Sequence, residues 1–348
     1  MRKGADLHWG GAVHLGYFPP ETAIASPTSF HFAAVTDMDQ LSRIPGDDII
    51  FQSWMMPGML TYDSSANTYS TSFGEVRKLV SGHNEAGRGM ELSELTLYQN
   101  RLLAFDDRTG SIFEILSKDS EESFVVPRFV ITEGEGDTDK GMKWEWASTK
   151  DNNLYIGSMG KEYTRPDGTI VNTNNLWIAV VDPKGDVKRL DWSRQYNFVR
   201  SLLNAQAPGY VIHEAVLWSE NMKKWIFIPR RVSSDKYDDV KDELMGTNKF
   251  VIVDEDFSHG TVMDIKMKEV DRLHGFSSAA FVPNSNERHV VALRSVEENC
   301  VGGIDTICKQ RSYMMVFDVL TGDVLMDEVK FEQDIKFEGI EFVDITRS

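Results

Sequence analysis

Cysteine is nearly missing from this chain: Cys300 and Cys308 are its only two, both within "CVGGIDTIC". No C-x-x-C pair exists, so the usual structural zinc sites are excluded. The glycines between the two cysteines let a short loop close into a disulfide, and two isolated thiols are the alternative. Long apolar runs are also missing. None approaches the ~20 residues needed to cross a bilayer, so no membrane segment is expected in this chain. The start "MRKGADLHWGG" has two basic residues but no apolar stretch behind them, so no signal peptide is expected there. A cytosolic protein and a secreted one without its leader both fit, and there is no N-x-[ST] sequon. Positive charge is in deficit, with 37 basic against 54 acidic residues and a net charge of −17. Like-charge repulsion then opposes binding to nucleic acid or to anionic membranes, while divalent cations are favoured. An anionic substrate would need a metal or a local cluster of Arg and Lys.

Familiar site motifs are absent as well. No glycine-rich phosphate loop is present, and "DTDKG" in the acidic loop 133–141 lacks EF-hand ligand spacing, so it reads as a solvated loop. "VIHEAVLW" opens like the zinc-protease signature H-E-x-x-H, but Leu217 stands where the second histidine belongs. Glu214 is therefore a carboxylate in an apolar run with no motif to explain it.

What the chain does have is strand signal. Its 348 residues suffice for one large all-β domain or two ordinary ones, and 41% hydrophobic content supports a substantial core. Short runs rich in Val, Ile, Phe, Tyr and Trp alternate with Gly, Asn, Asp and Pro turns, as in "LTLYQNRLLAFDDRTGSIFEIL" and "SYMMVFDVLTGDVL". "SRQYNFVRSLLNAQ" is the best helix candidate, and it is short.

Internal repeats follow. "SELTLYQNRLLAFDD", "WEWASTKDNNLYIGSM", "HEAVLWSENMKKWIFIPR" and "FSSAAFVPNSNERHVVALRS" share one order: polar residue, apolar strand, polar turn, second strand. Their polar leaders are Glu94, Glu145, Glu214 and Ser277, and a fifth, Glu338 in "FEGIEF", lies near the C-terminus. Successive spacings of 51, 69, 63 and 61 residues suit four-stranded blades with generous loops. The fifth copy lacks its second strand, and the N-terminal "HFAAVTD" fits that place. The expectation is a five-bladed β-propeller over about 30–344, its ring closed by strands from both chain ends. The chain then forms a single domain over 1–348 with an N-terminal extension, 1–29. A sandwich of short strands is the alternative.

In a propeller the innermost strands line a central channel, so the leaders converge. Taken singly, each glutamate reads as a strand-end surface residue; recurrence at one repeat position argues otherwise. Four glutamates, Ser277 and the adjacent Ser93 then meet; the carboxylates would repel and rise in pKa unless a cation compensated them, and an all-oxygen set favours Ca²⁺. The second strands align Asp37, Asp107, Met159, Arg230 and Ser295 as another ring. Two aspartates and an arginine beside a metal suit phosphate chemistry, although Asp107 could simply open the turn "DDRTG".

At these residues the chain resembles the calcium-activated nucleotidases, the apyrase family of vertebrate endoplasmic-reticulum and Golgi enzymes and of blood-feeding arthropod saliva. "TDMDQLSR", "GRGMELSEL", "DDRTG", "KGMKWEW", "GSMGKEY", "GYVIHEAVLWS", "IPRR", "HGFSSAAFVPN" and "KFEGIEF" carry it, in order, over residues 32 to 342. The resemblance implies a five-bladed propeller with a central Ca²⁺ that hydrolyses nucleoside di- and triphosphates. It implies calcium at Ser93, Glu145, Glu214, Ser277 and Glu338, with Glu94 standing where vertebrate members have Asp. Asp37 and Asp107 match the essential acidic pair, and Glu145 joins them as a catalytic residue. Lys143 and Arg230 match basic residues near the phosphates, with Arg43, Arg88 and Trp177 as further substrate contacts. Trp144, in "KWEW" where vertebrates have "KAEW", is expected to narrow the nucleotide pocket or stack on a base. The insert "ENCVGGIDTICKQ" exceeds the family's loop. By the same resemblance the protein works in the secretory pathway or is secreted, and a homodimer is left open.

The reading is thus a Ca²⁺-dependent nucleoside phosphatase. A non-catalytic, calcium-stabilised propeller that binds a protein partner is the rival, because fold does not choose function. A calcium lactonase would need a histidine at the metal. His213, the nearest, should point away from the face of Glu214.

Overall fold

In the computed structural model, residues 28–46, 49–117, 122–301 and 307–344 are described. Five antiparallel sheets are arranged as the blades of a propeller. Blade 1 runs Leu92–Tyr98, Arg101–Asp106, Ser111–Ser117, Ser123–Val130 from the axis outward. Blade 2 comprises Trp146–Lys150, Asn153–Gly157, Trp177–Val181 and Val187–Asp191; blade 3, Tyr210–Ser219, Lys224–Ser233, Lys249–Asp254 and Gly260–Asp264. Blade 4 is Gly275–Phe281, His289–Val301, Ile307–Asp318 and Val324–Lys330. Blade 5 takes its inner strand, Phe337–Glu341, from the C-terminal end, and continues with Thr28–Thr36, Phe51–Asp63 and Thr68–Phe73. Arg77–Ser81 also pairs with Phe51–Asp63. The ring closes as the repeat pattern predicts: Ala34 faces Ile340 and Val35 faces Gly339 across the two chain ends.

Alternation along the strands explains the packing. Successive side chains of a strand point to opposite faces, and here each face meets a different neighbouring blade. Phe32 and Ala34 pack between blades 5 and 4, whereas Ala33 and Val35 pack between blades 5 and 1. Val216 and Trp218 turn to blade 2, Ala215 and Leu217 to blade 4. Five apolar clusters result, one for each pair of adjacent blades. Inner strands are consequently buried on both sides; every residue of Tyr210–Ser219 is. Such a sheet reads as a near-continuous apolar run, which is why the isolated Glu214 stands out.

The helix expected in "SRQYNFVRSLLNAQ" is Ser193–Leu202, in the connection from blade 2 to blade 3. The Asp191 carboxylate accepts from the free Ser193 amide at 2.8 Å, and Tyr196 and Val199 enter the cluster between those blades. His213 stacks on Tyr196 at 5.4 Å between centroids and lies edge-on to Phe227, with neither ring nitrogen bonded. It is a core residue turned away from Glu214. Burial, with Arg200 adding, pushes its imidazole down to about 3, so it stays neutral.

Candidate active site

Four of the five inner strands break their ladder near the start. Pairing shifts between Leu92 and Glu94, between Phe276 and Ser278, and around Glu338 between the Val35 and Thr36 pairs. In blade 3 it shifts on both sides of His213, which frees Glu214 on one strand and Arg230 on the other. In blade 2 the Glu145 amide donates to Gly157 O at 2.9 Å while Trp146 pairs with the same glycine. A bulge of this kind gives one extra residue to the strand and re-aims its side chain. The residues so placed are Ser93, Glu145, Glu214, Ser277 and Glu338, five of the six predicted calcium ligands.

Glu94 is the exception. The recurring position in blade 1 belongs to Ser93, one residue earlier, so the channel holds three glutamates and two serines rather than four glutamates. The carboxylate of Glu94 accepts from the Leu95 amide at 2.6 Å and from Ser278 Oγ at 3.2 Å. Burial, with Glu341 adding, raises it well above the usual range.

The second ring also follows the register. Asp37, Asp107, Arg230 and Ser295 each sit one residue beyond the last paired residue before the shift in their blade, and in blade 2 Met159 lies two residues beyond Gly157. Facing them, two residues before the bulge, are Glu91, Lys143 and Lys336. The Asp107 amide donates to Glu91 O at 3.0 Å and the Asp37 amide to Lys336 O at 3.1 Å. Lys143 Nζ contacts Asp107 Oδ2 and lies 2.6 Å from Glu145 Oε1. Lys336 Nζ reaches Asp37 Oδ2 at 2.7 Å and Glu338 Oε1 at 3.5 Å. Arg230 joins Glu214, Glu338 (2.6 Å) and Glu297 (2.7 Å). The charges of Asp37 and Asp107 both act on Glu91.

Five members of this group escape the sequence reading: Asp39, Glu91, Glu297, Gln310 and Lys336. Lys336 had a readable signal, because it stands two residues upstream of the leader Glu338 as Lys143 does of Glu145; Glu91 joins that register only once Ser93 takes the place of Glu94. Asp39 follows Asp37 in a turn of 3₁₀ helix, Asp39–Ser42, and had no repeat partner. Glu297 and Gln310 oppose each other in the long hairpin of blade 4. Only the fold brings that hairpin over the channel.

Other predicted contacts are placed as follows. Arg88 bonds Glu91 Oε1 at 2.8 Å and reaches Asp39 at 3.4 Å, which puts it in the group. Arg43 is exposed where its backbone bridges Phe51. Trp177 opens the third strand of blade 2 at the same end of the propeller, half-buried against the core between blades 1 and 2. Trp144 corrects the expectation of a base-stacking or pocket-narrowing side chain. It is fully buried in that same core, and its indole donates to Gly110 O at 3.1 Å.

Eight carboxylates, Asp37, Asp39, Glu91, Asp107, Glu145, Glu214, Glu297 and Glu338, share four cations, Arg88, Lys143, Arg230 and Lys336. The excess shows in the pKa shifts of these groups. Burial pushes Glu145 up to about 8; Lys143 opposes this while Glu214 and Asp107 add to it. Burial likewise raises Glu214, against Arg230, and raises Glu338 well above the carboxylate range, against Lys336 and Arg230. Burial with Asp107 and Asp37 pushes Glu91 up to about 9 despite Arg88. Asp37 differs: burial resists its charge, but Lys336, the Asp39 amide and Lys143 hold it well below the ordinary range. A hard cation suits the bulge residues on two counts. Glu145, Glu214 and Glu338 are buried carboxylates that carry charge only at a cost without one, and Ser93 Oγ is buried with no partner. The donors are all oxygen, the set that Ca²⁺ takes.

A family model described as Apyrase matches residues 38–343. The chain is 37% identical over 318 residues to "Soluble calcium-activated nucleotidase 1" of Rattus norvegicus, covering 90% of this chain and 74% of that protein. It is 37% identical over 316 residues to "Apyrase" of Cimex lectularius, covering 90% and 82%. With "Apyrase" of Phlebotomus duboscqi it shares 32% identity over 329 residues, covering 94% and 93%.

Proposed function

The chain belongs to the apyrase family and is a nucleoside phosphatase, and we propose that it hydrolyses nucleoside di- and triphosphates, UDP, GDP, ADP and ATP among them, in a calcium-dependent reaction at the channel mouth. The observation that carries this reading is the pairing of Asp107 with Lys143 beside the bulge ring. Asp107 Oδ2 is bound to the lysine, while Oδ1 is buried and has no partner. A buried acceptor without a donor is costly unless something fills it, and an attacking water would. Asp107 then orients that water and takes its proton. Asp37, kept ionised by Lys336, holds the second aspartate position of the same ring.

Ser93, Glu145, Glu214, Ser277 and Glu338 would hold the calcium, the serines through oxygen donors. When bound, it supplies charge neutralisation and polarisation of phosphate oxygens. Arg230, Lys143 and Lys336 bind the equatorial oxygens as negative charge spreads over them in the transition state. Each must partly leave its carboxylate partner to do so. Arg88 supports Glu91 and Asp39 at the rim. Arg43 and Trp177 lie further out, where a nucleoside would extend. Family membership sets the non-catalytic alternative aside. The Cys300–Cys308 disulfide supports an oxidising compartment, the secretory pathway or beyond.

The test is phosphate release from UDP, GDP, ADP and ATP with calcium and with chelator, on wild type, Asp37→Asn and Asp107→Asn. Both variants should lose roughly 10²-fold or more in kcat and keep the calcium-induced rise in melting temperature. Full turnover in chelator would sink the calcium role; unchanged kcat in both variants would sink the aspartate assignment.

A further inference from the structure

The long hairpin of blade 4 meets the rest of the ring beyond the site as well as within it. Its ladder lapses between the Glu298–Lys309 and Val301–Ile307 pairs, and Asn299 turns to φ +55° in the gap. A bulge of this kind leaves backbone amides without strand partners. The Glu243 carboxylate, from blade 3, takes up two of them. Oε2 accepts from the Asn299 amide at 3.1 Å, and Oε1 from the Cys300 amide at 3.0 Å. Bonds to an ionised acceptor are roughly twice as strong as neutral ones. Glu243 is itself held on both sides. Asp242 before it accepts from the Tyr210 hydroxyl at 2.5 Å, and the Met245 carbonyl after it accepts from the Val232 amide at 2.9 Å. Val232 stands two residues beyond Arg230 on Lys224–Ser233. The contacts therefore form a closed circuit. Arg230 reaches Glu297 at 2.7 Å, the hairpin leads on to Asn299 and Cys300, and Glu243 returns through Met245 to the strand that carries Arg230.

We propose that Glu243 is a positioning residue for the reaction: it pins the hairpin to blade 3, so that Glu297 keeps Arg230 and Lys336 extended toward the phosphate. This rests on the roles that the proposed function gives those two cations. Glu297 touches both, Arg230 at 2.7 Å and Lys336 at 3.3 Å. Arg230 is also drawn to Glu214 and Glu338. While the hairpin is fixed, Glu297 pulls against that pair. Once it is released, Glu297 moves off and the guanidinium settles on the two ring carboxylates, away from the substrate. The disulfide does not do this work, because it ties Cys300 to Cys308 within one hairpin, which could still shift as a unit. Nor do the bonds of Glu297 to Arg230 and Lys336, since a bound phosphate loosens them.

The experiment measures phosphate release from UDP in calcium on the full chain, with hydrogen exchange and circular dichroism as companions. The variants are Glu243→Ala, Glu243→Gln, Glu297→Gln and the Glu243→Ala, Glu297→Gln double. Glu243→Ala should lose about tenfold in kcat/KM, the scale of lost hydrogen bonds to a charged group. Glu243→Gln should lose less, because its amide oxygen still accepts. Added to Glu297→Gln, Glu243→Ala should cost about twofold at most, whereas independent effects multiply. Amides of residues 296–300 should exchange faster in Glu243→Ala, and those of Trp146–Lys150 in blade 2 should not. Unaltered hairpin exchange in folded Glu243→Ala, unaltered kcat/KM, or losses that multiply in the double variant overturns the proposal. Absence of calcium-dependent release from wild type would instead count against the proposed function, and the exchange rates would still decide whether Glu243 holds the hairpin.

Discussion

Ser93 and Glu94 are neighbours in the chain with separate surroundings. The bulge turns Ser93 to the channel, where its hydroxyl has no partner, and leaves Glu94 bonded to Leu95 and Ser278. An acidic side chain is the conspicuous letter in "ELSEL", yet the hydroxyl holds the recurring place. The consequence can be measured. Glu94→Gln should keep the calcium-induced rise in melting temperature, because the amide preserves the side chain's size and its bond from Ser278. Glu214→Gln should lose most of that rise, having lost a charge that faces the channel. Differential scanning calorimetry with and without calcium decides it. An equal loss in both variants would return Glu94 to the metal.

At the scale of elements, the hairpin His289–Val301 and Ile307–Asp318 departs most from the blade pattern. Its strands have 13 and 12 residues, against 7 in each of the inner and outer strands of the same blade. The added length carries the facing pair Glu297 and Gln310 to Lys336, Arg230 and Asp39, which belong to other blades. Beyond them the Cys300–Cys308 disulfide ties the strands. The Glu243 carboxylate, in the segment after the short helix Asp239–Asp242, accepts from the Asn299 and Cys300 amides at 3.1 and 3.0 Å. Closing so short a loop stabilises by about 2–3 kcal/mol in the chain-entropy account, and the effect falls on the hairpin rather than on the propeller. A Cys300→Ser, Cys308→Ser double variant should exchange hairpin amides faster and lose kcat/KM for nucleotide, with little change in global Tm. A large Tm drop with unaltered kinetics would make the disulfide a general stabiliser only.

The whole molecule places its apolar clusters between blades and its carboxylates along the axis. Among the described residues no apolar cluster fills the centre, so the blades rely on closure and on what neutralises the channel. Two consequences follow. Calcium should raise Tm: an ion that binds only the folded state stabilises by about 2.7 kcal/mol at a hundredfold excess over Kd. Chelator should reverse the rise. Ending the chain before Phe337 removes the inner strand of blade 5 together with Glu338 and its pairing to Thr28–Thr36. Cooperative melting should then be lost even in saturating calcium. A truncated chain that still melts sharply would mean that the ring is stable when open.

Periodicity and spacing in the sequence determined the blades, the closure by both chain ends and the ring positions Asp37, Asp107, Arg230 and Ser295. All of these repeat, and repetition survives in one dimension because each blade solves the same packing problem. The position of Ser93 in place of Glu94 could not be read this way: a bulge shifts the register by one residue, and a turn or an insertion in the aligned text hides a one-residue shift. Nor was the burial of Trp144 legible, since a tryptophan looks the same in sequence whether it faces a neighbouring blade or a ligand. Glu297 and Gln310, and the partners of Lys336, were decided by tertiary structure alone. Their partners lie on other blades, Asp37 being 299 residues from Lys336 and Asp39 271 from Gln310. A charge acquires its role from the charges that closure of the ring brings within a few ångströms, and chain order does not record those distances.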